Sequence, residues 1–405
     1  LVIAENLGLS ELLDTFLIAM LVPSFISTVF LNSYSNVFIP NYVIQMKEKG
    51  NLKAFQTTSI LITLSISLIF IIIAYLFSDV YLNNIFPGHS DNYYTLVRNQ
   101  LYYLLPCIVF WAMSSLLSGL LQIDNEYVHS SLSAIFISIC TILSLIFFRN
   151  YFGEKVLVVG VLSGSILGLL YLIFISLSRN IIKLGKPDFA DTNIKTLLKQ
   201  VPVKISSALI NSLNPVVDQF FSAQLAIGSI AALNYGLKVP MLVIGLVGIA
   251  LSNVLLPYFS NFAAENIKKG FAELNKILRF SIVICIIIAV ILFISSEYIV
   301  SLLFERKEFT ENDTQIVYRI QEMYLIQIPF YVSGLVMNRF LTSINKNSFL
   351  VKSSIVSLVL NLVLNYILIE HMGVYGLALS TSLVSFVNTL IIYLYIRNTK
   401  NKSYV

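Results

Sequence analysis

Apolar residues along this chain gather into long, nearly unbroken runs separated by short polar connections. The runs lie near 12–38, 54–77, 95–121, 127–148, 155–178, 200–225, 231–257, 279–303, 317–344, 352–370 and 373–396. A helix of roughly 20 apolar residues crosses the ~30 Å hydrocarbon core of a bilayer, so each run is long enough to span one. A membrane strand would instead alternate apolar and polar over about ten residues. Here Leu, Ile, Phe and Val follow one another on every face, as in helices immersed in lipid or in a bundle. The pattern predicts an all-α polytopic membrane protein.

Polar connections give the runs a direction. Alternate connections and the C-terminal tail hold Lys47, Lys49 and Lys53; Arg179, Lys183, Lys186, Lys195 and Lys199; Lys268, Lys269, Lys276 and Arg279; Lys346 and Lys352; and Arg397, Lys400 and Lys402. The intervening connections hold Arg149, Lys155, Arg306 and Lys307. Basic residues concentrate on the cytoplasmic side. The first set and the C-terminus are therefore expected in the cytoplasm, and the 12–38 helix runs from outside to inside.

An internal repeat carries the same message. Val22-Pro23 and Ser35-Asn36-Val37 with Pro40 recur as Val239-Pro240 and Ser252-Asn253-Val254 with Pro257, at a constant offset of 217 residues. Ile85-Phe86 matches Leu303-Phe304 one residue out of that register. Both copies run outside to inside, so the repeat is a parallel one, with its axis along the membrane normal. It predicts two pseudo-symmetric bundles of six helices, divided into 1–186 and 187–405. The basic connection Arg179–Lys199, broken by Gly185-Lys186-Pro187, joins them. Applying the offset to the 200–225 run makes Leu1 to Gly8 the tail of a first helix whose body is expected upstream of Leu1.

Composition removes the soluble alternatives. The chain is 57% hydrophobic and 12% charged, with a mean hydropathy of +0.83, whereas about a quarter of a soluble domain is charged. A cytosolic enzyme, a disordered tail protein and a secreted disulfide scaffold are all excluded. The net charge of +5 sits in short loops and forms no basic stripe, so nucleic acid is not an expected partner. Cys107, Cys140 and Cys285 lie far apart inside apolar runs, and His89, His129 and His371 lack ligand spacing, so no metal site is expected. No phosphate-binding Gly-x-x-x-x-Gly-Lys-Ser/Thr or catalytic motif occurs, and no connection is long enough for a soluble active site. The chain is not expected to be an enzyme. Its only expected small partner besides substrate is a coupling ion.

Charges inside the runs each need a reason, because an ionised side chain costs roughly 2.5–3.5 kcal/mol at the bilayer centre. Lys238 lies about 10 Å into its helix at 1.5 Å per residue. Two readings stand: it snorkels to the outer surface, or it is a cationic anchor for a phosphate in a central cavity. Asp14 and Asp218 lie at outer to middle depths of their runs. Arg98, Arg319, Glu322 and Arg339 are further charges, and Arg319 with Glu322 has the spacing of a helical pair. Pro23, Pro40, Pro240 and Pro257, like Pro106 and Pro329, interrupt helices and mark candidate hinges beside a cavity. Gly245 and Gly248 are expected to admit close helix approach.

Several of these segments together resemble the MurJ/MviN lipid II flippases. They are Val217-Asp218-Gln219-Phe220-Phe221-Ser222, Gly228-Ser229-Ile230, Ala232-Leu233-Asn234-Tyr235, Gly245, Gly248 and Leu256-Pro257. Asp14-Thr15-Phe16 with Pro23, Phe30 and Phe38-Ile39-Pro40 is similar to that family's second helix. Leu303-Phe304-Glu305-Arg306 with Phe309-Thr310 and Asp313-Thr314 is similar to the loop after its ninth, and Gly373 to Ser380 to its twelfth. The family sits in a superfamily with polysaccharide flippases and multidrug exporters.

The resemblance implies two six-helix lobes around a cationic cavity and alternating access. It implies flipping of an undecaprenyl-pyrophosphate-linked cell-wall precursor across the bacterial inner membrane, by a monomer whose partners are the lipid-linked glycan and the bilayer. Lys238 falls at the position of a cavity arginine and Asp14 at that of a second-helix aspartate. Ser27 stands where the family has another arginine, Asn32 where it has a glutamate, and Leu237 where an acid is common. The family's last two helices would follow Val405. Lys238, Asp14, Ser27, Asp218, Asn32 and Arg98 are the residues expected to meet substrate. An ion-coupled multidrug exporter and a flippase for another lipid-linked polysaccharide unit are the alternatives.

Overall fold

The computed structural model describes residues 1–265 and 267–402. Among them the regular elements are helices, apart from one isolated bridge between Arg306 and Phe309. Every expected run is helical. Among the described residues, eight stretches are long and apolar enough to cross a membrane, including Glu11–Lys47, Leu52–Leu76, Asp91–Ile123, Ile267–Ile294 and Val374–Lys400. The difference from eleven has a physical cause. Tyr127–Ser178 counts as one stretch but holds two of the expected spans, which meet at a single turn, Gly153–Lys155. Thr192–Ser222 carries Lys195, Lys199, Lys204 and Asp218. The 317–344 run falls on Glu311–Leu325 and Gln327–Ser343, which carry Arg319, Glu322 and Arg339. Those helices form, but their charge lowers their apolarity.

Helix starts follow local chemistry. Asn51 accepts the Ala54 N–H at 3.1 Å and Ser90 that of Tyr93 at 3.3 Å. Thr310 and Asp313 form a reciprocal capping box at the head of Glu311–Leu325. Each satisfies donors that a first helical turn leaves without partners.

The chain folds as two compact units. Glu11–Ser212 makes one; Leu213–Val405 makes the other, together with Ile3–Ser10. In the first, Phe38 packs against Tyr42 and Phe55, with ring centroids 5.6 and 5.9 Å apart, amid Leu116, Leu120 and Leu172. The basic connection is laced to this unit rather than loose. The N–H groups of Lys183, Gly185 and Asp188 donate to the side chains of Gln56, Thr57 and Thr58 at 2.6, 2.9 and 2.8 Å. Gln45 donates to Asp191 at 2.9 Å and also bonds Asn193. In the second unit, Phe340 meets Phe259 and Phe271 at 5.4 and 5.1 Å.

Close packing comes from glycines that the sequence reading passed over. Gly160, Gly164 and Gly168 form a four-residue ladder on Val156–Ser178 and lie against Ile135–Phe152 and Ser133. A Cβ at Gly164 would stand 2.5 Å from the Ile137 Cα, and one at Gly160 would stand 2.6 Å from the Thr141 Cα. Lipid is as apolar as leucine, so helices within it associate through this kind of close fit. Gly245, expected to serve such a contact, has nothing within 4 Å of its Cβ position, and Gly248 meets only the tip of Leu335. The close approach near that point is at Gly236, whose Cβ position lies 2.5 Å from Ile320.

Gly164→Ala should force two backbones apart and lower stability by about 1–3 kcal/mol. Gly245→Ala should leave it unchanged. Thermal unfolding in detergent reads the contrast, and equal midpoints for the two variants would contradict the packing described.

Candidate functional site

The strongest concentration of polar chemistry inside the second unit surrounds Asp218. Thr192–Ser222 carries it near its last turns. Asn361 and Asn365, four apart on one face of Asn347–Met372, donate to its Oδ1 at 3.0 and 2.8 Å. Thr381, on the next helix, donates to Oδ2 at 3.4 Å. The buried Tyr324 lies close by, beside Thr381. Each well-formed hydrogen bond to an ionised carboxylate contributes about 1.5–3 kcal/mol, so the two asparagine amides lower the cost of a charge buried here.

The described groups that bond Asp218 are all neutral. No lysine, arginine or histidine bonds to it among the described residues. The side-chain oxygen of Asn365 is buried and has no hydrogen-bond partner among the described residues. A carboxylate, two amides and a hydroxyl supply hard oxygen donors. Rotation of the two amides would turn their oxygens toward a small cation.

Lys238 lies elsewhere in the same unit, on Ser229–Glu265, two residues before the buried Pro240. It is exposed and makes no hydrogen bond or ion pair among the described residues. The tight Gly236–Ile320 contact fixes the backbone two residues before it. Leu242 and Gly245 follow it at helical spacing and are exposed too. The face below the ammonium is therefore open for about 10 Å, seven residues at 1.5 Å each.

Asp14, Ser27, Asn32 and Arg98 belong to the first unit. Asp14 is buried, 2% exposed, and its carboxylate and that of Glu11 lie near the Tyr93 phenol. That ring stacks on His89 with centroids 4.0 Å apart. Arg98 pairs with Asp79 at 2.8 Å. Ser27 and Asn32 bracket a single π turn, Ser27–Leu31, and the Asn32 N–H donates to the Ser27 carbonyl. Such turns inside α-helices recur at functional sites. Thr28, Asn32 and Asn36 repeat every four residues as exposed polar positions along this helix.

Pro23 and Pro240 are both buried, and Pro40 and Pro257 both exposed, so the two copies of the repeat are buried alike at their prolines. All four lie within helices. Arg319 and Glu322, expected to pair, form no ion pair. Arg319 instead lies over the Tyr318 ring, 5.9 Å from its centroid. Asn361, Asn365, Thr381 and Tyr324 were not singled out from sequence. The two asparagines four apart in an apolar run were the available signal.

The model of the family described as "Lipid II flippase MurJ" matches residues 3–403. This chain belongs to the lipid II flippase MurJ family. A probable lipid II flippase MurJ from Buchnera aphidicola subsp. Schizaphis graminum (strain Sg) is 27% identical over 399 residues, covering 96% of this chain and 78% of that one. Another probable MurJ, from Aquifex aeolicus (strain VF5), is 28% identical over 403 residues, with 97% and 78% covered. Among solved structures, lipid II flippase MurJ in an inward closed conformation superposes with a TM-score of 0.85 at 26% identity. It covers 98% of this chain and 83% of the other. An inward-facing MATE-family multidrug transporter of the MOP superfamily reaches 0.83 at 13% identity, covering 99% and 95%. That second likeness shows a shared fold.

Proposed function

We propose that this protein translocates lipid II, an undecaprenyl-pyrophosphate-linked cell-wall precursor, across the bacterial inner membrane by alternating access. Membership of the MurJ family supports the substrate class. The single observation that carries the anchoring role is Lys238, an ammonium on an open helix face with no hydrogen bond or ion pair among the described residues. An unpaired cation in hydrocarbon is costly, and a pyrophosphate compensates it. Lysine acts as a point charge where arginine would fork onto two oxygens. One lysine therefore makes a weaker but less geometrically demanding anion anchor than an arginine would. The polar stripe Thr28, Asn32 and Asn36 is suited to the hydroxyls and amides of a glycan.

In this reading the lobes are 1–186 and 187–405, the C-terminus is cytoplasmic, and the protein works as a monomer. Pro23, Pro40, Pro240 and Pro257 absorb the bending of their helices during the cycle. Asp218 with Asn361, Asn365 and Thr381 would hold a small monovalent cation, whose gradient drives the cycle. The buried Asn365 oxygen, without a hydrogen-bond partner among the described residues, and the neutral groups that bond Asp218 support that role. Each charge moved across the membrane gains about 2.3 kcal/mol per 100 mV.

Two outcomes follow. The full-length gene should rescue cells depleted of their lipid II flippase, Lys238→Ala should abolish rescue, and Lys238→Arg should retain it. Failure of the full-length gene sinks the lipid II assignment, whereas rescue by Lys238→Ala sinks only the anchor. Sodium or lithium should raise the thermal midpoint of the purified protein over choline at equal ionic strength, and Asp218→Asn should remove that shift. An identical shift in the variant would place the cation elsewhere.

A further inference from the structure

The helix Ile267–Ile294 has two contrasting faces at its N-terminal end. Gly270, Phe271, Leu274, Leu278, Ser281 and Cys285 are buried against the second unit. The opposite face, Ala272, Asn275, Lys276, Arg279, Phe280 and Val283, lines a shallow open depression. These residues recur three and four apart, so they form one continuous stripe. Lys276 and Arg279 are exposed neighbours on it and make no ion pair or hydrogen bond among the described residues. The nearest carboxylate on the helix, Glu273, is engaged by the Tyr258 hydroxyl at 2.9 Å.

Along the helix axis the stripe changes character at these two cations. Before them the helix is polar, with Lys268, Lys269 and Glu273; beyond them it is apolar to Ile294. Phe280, Val283 and Ile287 are 68%, 56% and 54% exposed, an unpartnered surface suited to acyl chains. Two unpaired cations above exposed hydrocarbon match the order of groups in an anionic phospholipid, with phosphate at the interface and chains below.

We propose that this face is a binding site for the headgroup of an anionic phospholipid. Arg279 forks onto phosphate oxygens, Lys276 adds a point charge, Asn275 donates from its amide, and the acyl chains follow Phe280, Val283 and Ile287. The inference uses the cytoplasmic assignment of this helix end and is independent of the transported substrate.

The test is titration of the delipidated full-length protein with phosphatidylglycerol, phosphatidylcholine and inorganic phosphate, read by native mass spectrometry and thermal midpoint. Phosphatidylglycerol should bind and stabilise, while the zwitterionic lipid and free phosphate should do neither at matched concentration. A basic residue near an anionic headgroup contributes roughly fivefold in affinity, so Lys276→Gln with Arg279→Gln should weaken binding about 25-fold. The charge-preserving pair Lys276→Arg with Arg279→Lys should retain binding, which separates loss of charge from loss of fold. Equal binding of phosphatidylcholine, or unchanged binding by the Gln pair, would overturn the proposal. So would a Lys276→Cys thiol that stays closed to water-soluble reagent after delipidation, because a protein segment would then cover the face.

Discussion

Everything in this molecule depends on the cost of placing charge and unbonded backbone in hydrocarbon. Helices satisfy their own backbone groups, so the chain is helical almost throughout. Connections are short because polar backbone must reach water. The basic connection Arg179–Lys199 is held in the same way, with N–H groups bound to Gln56, Thr57 and Thr58. With the backbone settled, the charges left inside are few, and each has its own surroundings. Asp218 is held by three neutral donors, Arg98 is paired with Asp79, and Lys238 has no partner among the described residues. The contrast between Asp218 and Lys238 is that of a carboxylate held by several donors and an exposed cation held by none among the described residues.

Packing obeys the same medium. Lipid supplies no strong hydrophobic drive between helices, so surface fit decides which helices meet. The Gly160-Gly164-Gly168 ladder brings two helices to backbone contact. Gly236, two residues before Lys238, packs closely on Ile320.

The long-range order of the chain could be read before the structure. Runs of one apolar character mark helices at whatever depth they lie, and each expected run is helical. The repeat was readable because Val-Pro and Ser-Asn-Val recur at one offset, and the matched burial of Pro23 with Pro240 agrees with it. Side-chain partnerships were not readable. Asp218 meets residues 143 to 163 positions away, and no local pattern encodes that. The π turn at Ser27–Leu31 lies in a stretch with ordinary helical composition. The glycines show the limit most sharply: spacing alone favoured Gly245, and only the position of neighbouring helices reveals Gly164 as the close contact. Arg319 and Glu322 have ion-pair spacing, yet Arg319 turns to Tyr318 because an adjacent ring offers a cation a face as well.

The central claim is that an exposed ammonium on the Ser229–Glu265 helix recognises the pyrophosphate of a lipid carrier. The most direct measurement is the affinity of purified protein in nanodiscs for lipid II and for the same polyprenyl chain lacking its pyrophosphate and glycan, with polyprenyl pyrophosphate as a third ligand. The account predicts that both pyrophosphate lipids bind at least about tenfold more tightly than the bare polyprenol, some 1.4 kcal/mol. Equal affinity for all three would show that the chain recognises the hydrocarbon tail alone, and would contradict it.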